Sequence, residues 1–233
     1  MSATSSMDQD RPVPRIVERT DGRWEIEGVP AVEASALLEQ YAPWRMLLAF
    51  SSGPASDDGA TFQPFNTIPL KKLQVVLPHI KLPPAPDVLD IGFNCGYNSL
   101  YMASRYNARV TGLDVVARHK ELSDDLAALL ELDTEFLLAD TESFVRPESY
   151  DLVLHFGTLY HLPNPLRSVE NCARSLRSGG WFALETTRYV EKSDGGKWIH
   201  GFNGDRTNFW ALGTQVVTDF FQRSSLSPPP DDL

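Results

Sequence analysis

Only two cysteines, Cys95 and Cys172, occur in the 233 residues, and no Cys/His cluster has zinc spacing. A disulfide framework and a metal finger are therefore excluded, no metal site is expected, and a reducing, cytoplasmic setting is the default. No apolar run approaches the roughly 20 residues needed to span a bilayer, and the opening MSATSSMDQDRPVP contains no apolar signal core. Bases are scarce, with 21 Lys and Arg against 31 Asp and Glu and a net charge of −10. A surface this acidic disfavours nonspecific binding to nucleic acid or anionic lipid, while leaving room for a local basic groove. What the chain does have is 42% hydrophobic and 10% aromatic residues. That is enough to bury a substantial core in one large domain, or in a domain with an appendage.

Residues 1–13 are polar and read as a disordered arm. In the next segment Ile16 and Val17 precede Asp21-Gly22, and Trp24 and Ile26 follow it, a hairpin pattern because Asp-Gly tolerates a tight turn. Residues 31–50 suggest a helix interrupted at Pro43, and residues 51–60 a loop; with the hairpin they make an N-terminal extension over 14–82. From residue 83 to about 224, strands and helices alternate. Strands are expected at 88–92, 108–114, 134–140, 151–156 and 181–186, and helices at 97–106, 119–130, after Asn164, and from Phe209 to Phe220. For the helix after Asn164, Asn164 is the expected N-cap, with Pro165 at the first position, Arg177 in the last turn and Gly179 past the end. This alternation predicts an α/β fold with a Rossmann-like, doubly wound, mostly parallel sheet. Residues 225–233 form a polar tail.

Sheets of this kind bind ligands beyond the carboxyl ends of their strands, where the strand order reverses. The first loop, VLDIGFNCGYNS, holds Gly92 and Gly96 around Phe93-Asn94-Cys95. Gly92 permits a sharp turn, and Gly96 permits close approach of backbone to a ligand. Asp114 ends the second strand, where an acid can accept from both ribose hydroxyls of an adenosine. These features suit a dinucleotide or S-adenosylmethionine. Asp90, just before the glycines, favours the ligand carrying an ammonium and a sulfonium, and no phosphate-cradling GxxxxGK[ST] is present. Asp140-Thr141-Glu142, after the third strand, could offer a carboxylate and a backbone N–H to adenine, or could simply cap the next helix.

The motifs LDIGFNCG, GLD, LLADTE, FGTLYHLPNP and GGWFALET resemble, over residues 65–222, those of class I S-adenosylmethionine-dependent methyltransferases. PFNTIPLKKLQVVLPHI, Asn94 and Leu159-Tyr160-His161 are similar to the subgroup of tRNA wobble-uridine carboxymethyltransferases and their relatives. The resemblance implies that Asp90, Gly92, Asn94 and Gly96 hold the methionine part of the cofactor and Asp114 the ribose. Asp140, Thr141 and Glu142 would frame the adenine, and Phe156 and Tyr160 would border the methyl-donor pocket. Methyl transfer needs an aligned acceptor, exclusion of water and removal of a proton. His161, beside Tyr160, is the candidate base, with a backbone-bonded loop histidine as the alternative reading, and His155 reads as a core residue. The loop after the fifth strand, with Trp198, His200 and Arg206, reads as an acceptor-binding lid. Lys71 and Lys72 are expected to be solvated, with a role in holding the substrate as the alternative reading.

Two departures from the family matter. The class continues into two further strands, one of them antiparallel, and the proline-rich SPPPDDL cannot form a hairpin. The fifth strand is thus expected to be an exposed edge, covered by the N-terminal hairpin or by a second copy in a homodimer. The cation that engages carboxy-S-adenosylmethionine in the carboxymethylating relatives also has no counterpart. The expected activity is therefore transfer from S-adenosylmethionine to oxygen or nitrogen of a small-molecule acceptor. The alternatives are a tRNA carboxymethyltransferase, for which Lys71, Lys72, Lys81, Arg188 and Lys197 would have to build a basic cleft, a noncatalytic cofactor-binding subunit, and a nicotinamide oxidoreductase.

Overall fold

A computed structural model describes residues 13–19, 24–42, 48–56, 72–186 and, as backbone, 209–213. Central to it is a six-stranded sheet. Its strands are β4 (Asp87–Ile91), β5 (Arg109–Asp114), β6 (Thr134–Leu138), β7 (Tyr150–Phe156), β8 (Leu176–Glu185) and β9 (Phe209–Gly213), in the order β6-β5-β4-β7-β8-β9. β4 to β8 are parallel and correspond to the five expected strands; β9 is antiparallel to β8. The order reverses between β5 and β7, on either side of β4, which sets the crevice above the end of β4.

Alternation along the buried strands divides the core. Val88, Leu152, Leu154 and Ala183 face Leu73, Val76 and Met102 on one side. Leu89, Ile91, Val153 and Phe182 face Cys172 and Leu176 on the other. The helices that cover these faces are α2, described over residues 72–76 and running into a 3-10 turn at Leu77–His79, α3 (Tyr97–Tyr106), α4 (Ala117–Leu129) and α5 (Pro165–Ser175). The Asn164 side chain accepts from Arg167 N, as its N-cap position predicts.

At the N-terminal end, β1 (Arg15–Glu18) and β2 (Trp24–Glu27) form the expected antiparallel pair, with Ile16 opposite Ile26. The helix α1 spans Ala31–Gln40. This unit is docked on the main sheet, since Ile26, Val29, Leu38 and Phe50 share a core with Phe93, Leu100, Leu122 and Phe136. Tyr41 Oη donates to Asp125 at 2.6 Å, tying α1 to α4.

Three expectations are corrected. Residues 49–50, read as the end of a helix, form β3 (Ala49–Phe50), because Phe50 pairs with Ile26 in a parallel ladder; Pro43 lies outside the described residues. Leu176 and Arg177, read as the last turn of a helix, already belong to β8. Leu176 pairs with Tyr150, and Arg177 bridges Asp87 and Asp151 at 2.7 and 2.9 Å, so tertiary pairing overrides the helical pattern. The segment from Phe209, read as an amphipathic helix, is β9 through Gly213, and residues 214–220 lie outside the described residues. Its aromatic FWALG run satisfies the open edge of β8, with Phe209 opposite Glu185 and Gly213 opposite Trp181. The fifth strand of the parallel set is therefore not exposed, and the reason to invoke a second copy on that edge lapses.

Candidate active site

The chain leaves β4 at Gly92, whose φ of 69° suits glycine and whose N–H donates to Leu113 O at 2.7 Å. A Cβ at Gly92 would lie 2.1 Å from Thr158 Oγ1. The Thr158 hydroxyl lies 3.2 Å from the carbonyls of Ile91 and Phe156, knitting the loops after β4 and β7 together. Gly96, with φ 74°, leads into α3, and a Cβ there would lie 2.7 Å from Ser123 Oγ on α4. Contacts inside the chain, together with the left-handed backbone, thus call for glycine at both positions. Asn94 also takes the left-handed conformation, φ 53°.

Two carboxylates flank this loop. Asp90 is 1% exposed, and its described partner is the Ser99 hydroxyl, donating at 2.6 Å. Burial, opposed by Ser99 and reinforced by the nearby charge of Asp114, pushes its pKa up to about 6. Asp114 behaves differently. Burial works against its charge, yet the His119 imidazole and the N–H groups of Val116 and Asn94 hold it below the usual carboxylate range. Its Oδ1 accepts from Val115 N at 2.7 Å and Val116 N at 3.0 Å, and Oδ2 accepts from Asn94 N at 2.9 Å, with His119 Nδ1 3.1 Å away. Beyond these acids, Val115 and Leu138 are 73% and 52% exposed, leaving two apolar side chains uncovered at the carboxyl ends of β5 and β6.

Asp140, Thr141 and Glu142 follow β6 but point to different tasks. Asp140 Oδ1 accepts from Glu142 N at 2.8 Å and is exposed. Thr141 is buried, its hydroxyl 2.8 Å from Ser168 Oγ and its carbonyl accepting from Asn171 Nδ2. Glu142 Oε1 accepts from Asn164 N at 2.8 Å at the start of α5. Phe156 lies buried at the end of β7. Tyr160 and His161 share a 3-10 turn, Leu159–His161, with ring centroids 4.3 Å apart. His161 is exposed and, among the described residues, its ring nitrogens have no hydrogen-bond partner. His155 is fully buried, with Nε2 3.0 Å from Ser168 Oγ, and burial lowers its pKa to about 4. Trp198, His200 and Arg206 lie outside the described residues.

The sequence reading missed one feature of the crevice. Lys72, expected to be solvated, is buried and ion-paired with Glu185, the last residue of β8. Its ammonium also lies 5.9 Å from the centre of the Phe156 ring. A glutamate ending the otherwise apolar strand WFALE was the available signal. With Lys72 paired and Lys71, Arg188 and Lys197 outside the described residues, Lys81 is the one member of the anticipated basic cleft that the structure places on the surface. Among the described residues no cluster of His, Cys, Asp or Glu has the makings of a metal site. A cleft of about 720 Å³ lies at the N-terminal sheet between Val13, Arg15, Glu27, Gly28 and Ser51. Its Arg15 and Glu27 already pair with each other, and it holds none of the crevice residues.

Comparison with known proteins agrees with this geometry. Residues 89–184 match the model of a methyltransferase domain. The chain is 31% identical over 139 residues to a ubiquinone biosynthesis O-methyltransferase of Burkholderia pseudomallei (strain 1710b), covering 59% of each chain. It is 29% identical over 116 residues to a tRNA U34 carboxymethyltransferase of Nautilia profundicola, covering 49% of this chain and 38% of that one. The chain therefore spans about three fifths or less of the length of these curated relatives. Among solved structures, the cyclase SpnF superposes with a TM-score of 0.51 at 21% identity, covering 59% of this chain and 52% of that one, a likeness of fold. The doubly wound sheet, the glycine turn after β4 and the acid ending β5 agree with this match: over residues 89–184, the chain is similar to a methyltransferase domain.

Proposed function

We propose that the protein is an S-adenosylmethionine-dependent methyltransferase acting on oxygen or nitrogen of a small-molecule acceptor. The observation that carries this reading is the pair Asp90 and Asp114 on either side of the Gly92–Gly96 loop. Two carboxylates close enough to influence each other's ionisation make an electronegative floor, which suits a ligand bearing an ammonium and a sulfonium and repels a pyrophosphate. The residues present fit that cofactor. Asp90 is a buried carboxylate lacking a cationic partner among the described residues, and Val115 and Leu138 offer uncovered apolar surface to an adenine ring. Asp114 is already engaged by three backbone N–H groups and the His119 ring; of these partners, His119 is the one side chain, so it is the group that ribose hydroxyls would displace.

When bound, S-adenosylmethionine supplies an activated methyl group. The chain's own residues orient and shield. Asp90, Gly92, Asn94 and Gly96 receive the methionine portion, Asp114 the ribose, and Asp140 with the Thr141 N–H the adenine edge, Glu142 bracing that turn through Asn164 N. Phe156 and Tyr160 border the methyl-transfer position, with His161 at its mouth. Trp198, His200 and Arg206 are proposed to close over the acceptor.

The net charge of −10, and the neutralisation of the Lys72 charge by Glu185, weigh against tRNA as acceptor. The noncatalytic reading loses its motive, because β9 occupies the edge whose absence prompted it. Among the described residues no helix is long and apolar enough to cross a membrane.

Calorimetric titration tests the reading. S-adenosylhomocysteine and S-adenosylmethionine are expected to bind and NAD not to, and Asp114→Ala to weaken S-adenosylhomocysteine by about tenfold or more, as for loss of a charged hydrogen-bond acceptor. Binding of NAD in their place, or indifference to the Asp114 change, would refute it.

A further inference from the structure

Three polar heads converge on one point beside the glycine loop. A Cβ placed on Gly157 would lie 3.4 Å from Lys72 Nζ, 3.7 Å from Glu185 Oε2 and 3.7 Å from Tyr160 Oη. The point is held firmly. Gly157 N donates to Glu185 O at 3.0 Å, and the next residue, Thr158, abuts Gly92. Lys72 and Glu185 are 9% and 3% exposed, whereas Tyr160 at 44% opens the group toward solvent.

A buried Lys–Glu pair contributes little net stability, because desolvating two charges roughly cancels their attraction. Placed at the carboxyl end of β7 and β8, it has another use. Among the described residues the ammonium has one hydrogen-bond acceptor, Glu185 Oε2. It therefore keeps donors for a ligand, beside a carboxylate able to accept. Together they match a group that both donates and accepts at a single atom, which is a hydroxyl. A tertiary amine lacks the proton, and an amine nitrogen presents only one lone pair.

We propose that Lys72 and Glu185 are specificity-determining residues that hold the hydroxyl of the acceptor over Gly157, so that the substrate class is an alcohol or phenol. Glu185 Oε2 accepts from the O–H and Lys72 Nζ donates to one lone pair, leaving the other lone pair free. Tyr160 lines the open side. The inference rests on the methyltransferase reading and narrows its acceptor from oxygen or nitrogen to a hydroxyl oxygen.

The test uses the full chain loaded with S-adenosylhomocysteine and titrated with 4-nitrophenol, 4-nitroaniline and 4-nitroanisole, followed by absorbance. The phenol is expected to bind about tenfold tighter than the anisole, which lacks the donor. The double variant Lys72→Met/Glu185→Gln removes both charges and leaves neither buried alone. It is expected to keep its affinity for S-adenosylhomocysteine and to lose the preference for the phenol. Gly157→Ala, which sets a methyl at the convergence point, is expected to exclude all three probes while the cofactor product still binds. A phenol that fails to bind the loaded protein, or one bound equally well by wild type and double variant, or no tighter than the anisole, overturns the proposal. Failure of S-adenosylhomocysteine to bind defeats the parent reading instead, and the same phenol titration of the unloaded protein still reads the pair.

Discussion

Asp90 shows what a buried carboxylate costs the protein that carries it. Burial raises its pKa from 3.8 to about 6, so the folded chain holds its proton more tightly than the unfolded one. Its contribution is favourable below about pH 4 and is lost as the pH rises through 6, leaving a penalty of roughly 3 kcal/mol near neutrality. Asp90→Asn removes the charge while keeping an acceptor for Ser99. The variant is expected to be more stable than wild type by about 1–3 kcal/mol at pH 8, with the gain vanishing toward pH 4. Denaturant melts at the two pH values check this, and a variant no more stable at pH 8 would refute it. Asp90 and Asp114 were legible in the sequence because an acid beside a glycine turn, and an acid ending a strand, are positional signals. Lys72 was not, since nothing local marks a lysine whose partner lies 113 residues away. His119 and Thr158 were missed for the same reason, their partners being set by how the loops fold together.

Among the elements, α5 carries a polar seam against β7. His155 Nε2, Ser168 Oγ and Thr141 Oγ1 form a chain from the strand, through the helix, to the loop after β6. Among the described residues, His155 Nδ1 is buried without a partner and Ser168 provides the ring's one side-chain hydrogen bond. Ser168→Ala is therefore expected to cost about 1–3 kcal/mol, the penalty for stranding a buried polar group, and equilibrium urea unfolding measures it. A loss below the error of the method would show that water or a shifted ring takes over. Burial also lowers the His155 pKa from 6.5 to about 4, so its contribution is complete above pH 6.5 and fades as the pH falls toward 4. Element identity was legible wherever periodicity was strong, as in Tyr97–Tyr106 and in the Asn164 cap of α5. It failed at Leu176 and Phe209, where the ladders to Tyr150 and Glu185 decide the conformation and local pattern does not.

On the scale of the whole molecule, β9 closes one side of the sheet and the N-terminal unit braces the other end of the crevice. A chain ending at residue 208 would bare the hydrogen-bonding edge of β8, and it is expected to self-associate in sedimentation velocity. A monodisperse monomer with an unchanged melting temperature would show that β9 is dispensable. The N-terminal unit could be seen in the sequence as a hairpin and a helix. Its docking on Phe93, Leu122 and Leu126 could not, because apolar faces announce burial without naming the surface that buries them. The two acids beneath the crevice carry a further consequence for turnover. On the proposed reading the donor arrives with a sulfonium charge, and the spent thioether departs without it. The same negative floor that recruits the fresh molecule therefore has less hold on the used one, and expulsion of the by-product is favoured by electrostatics without any moving part.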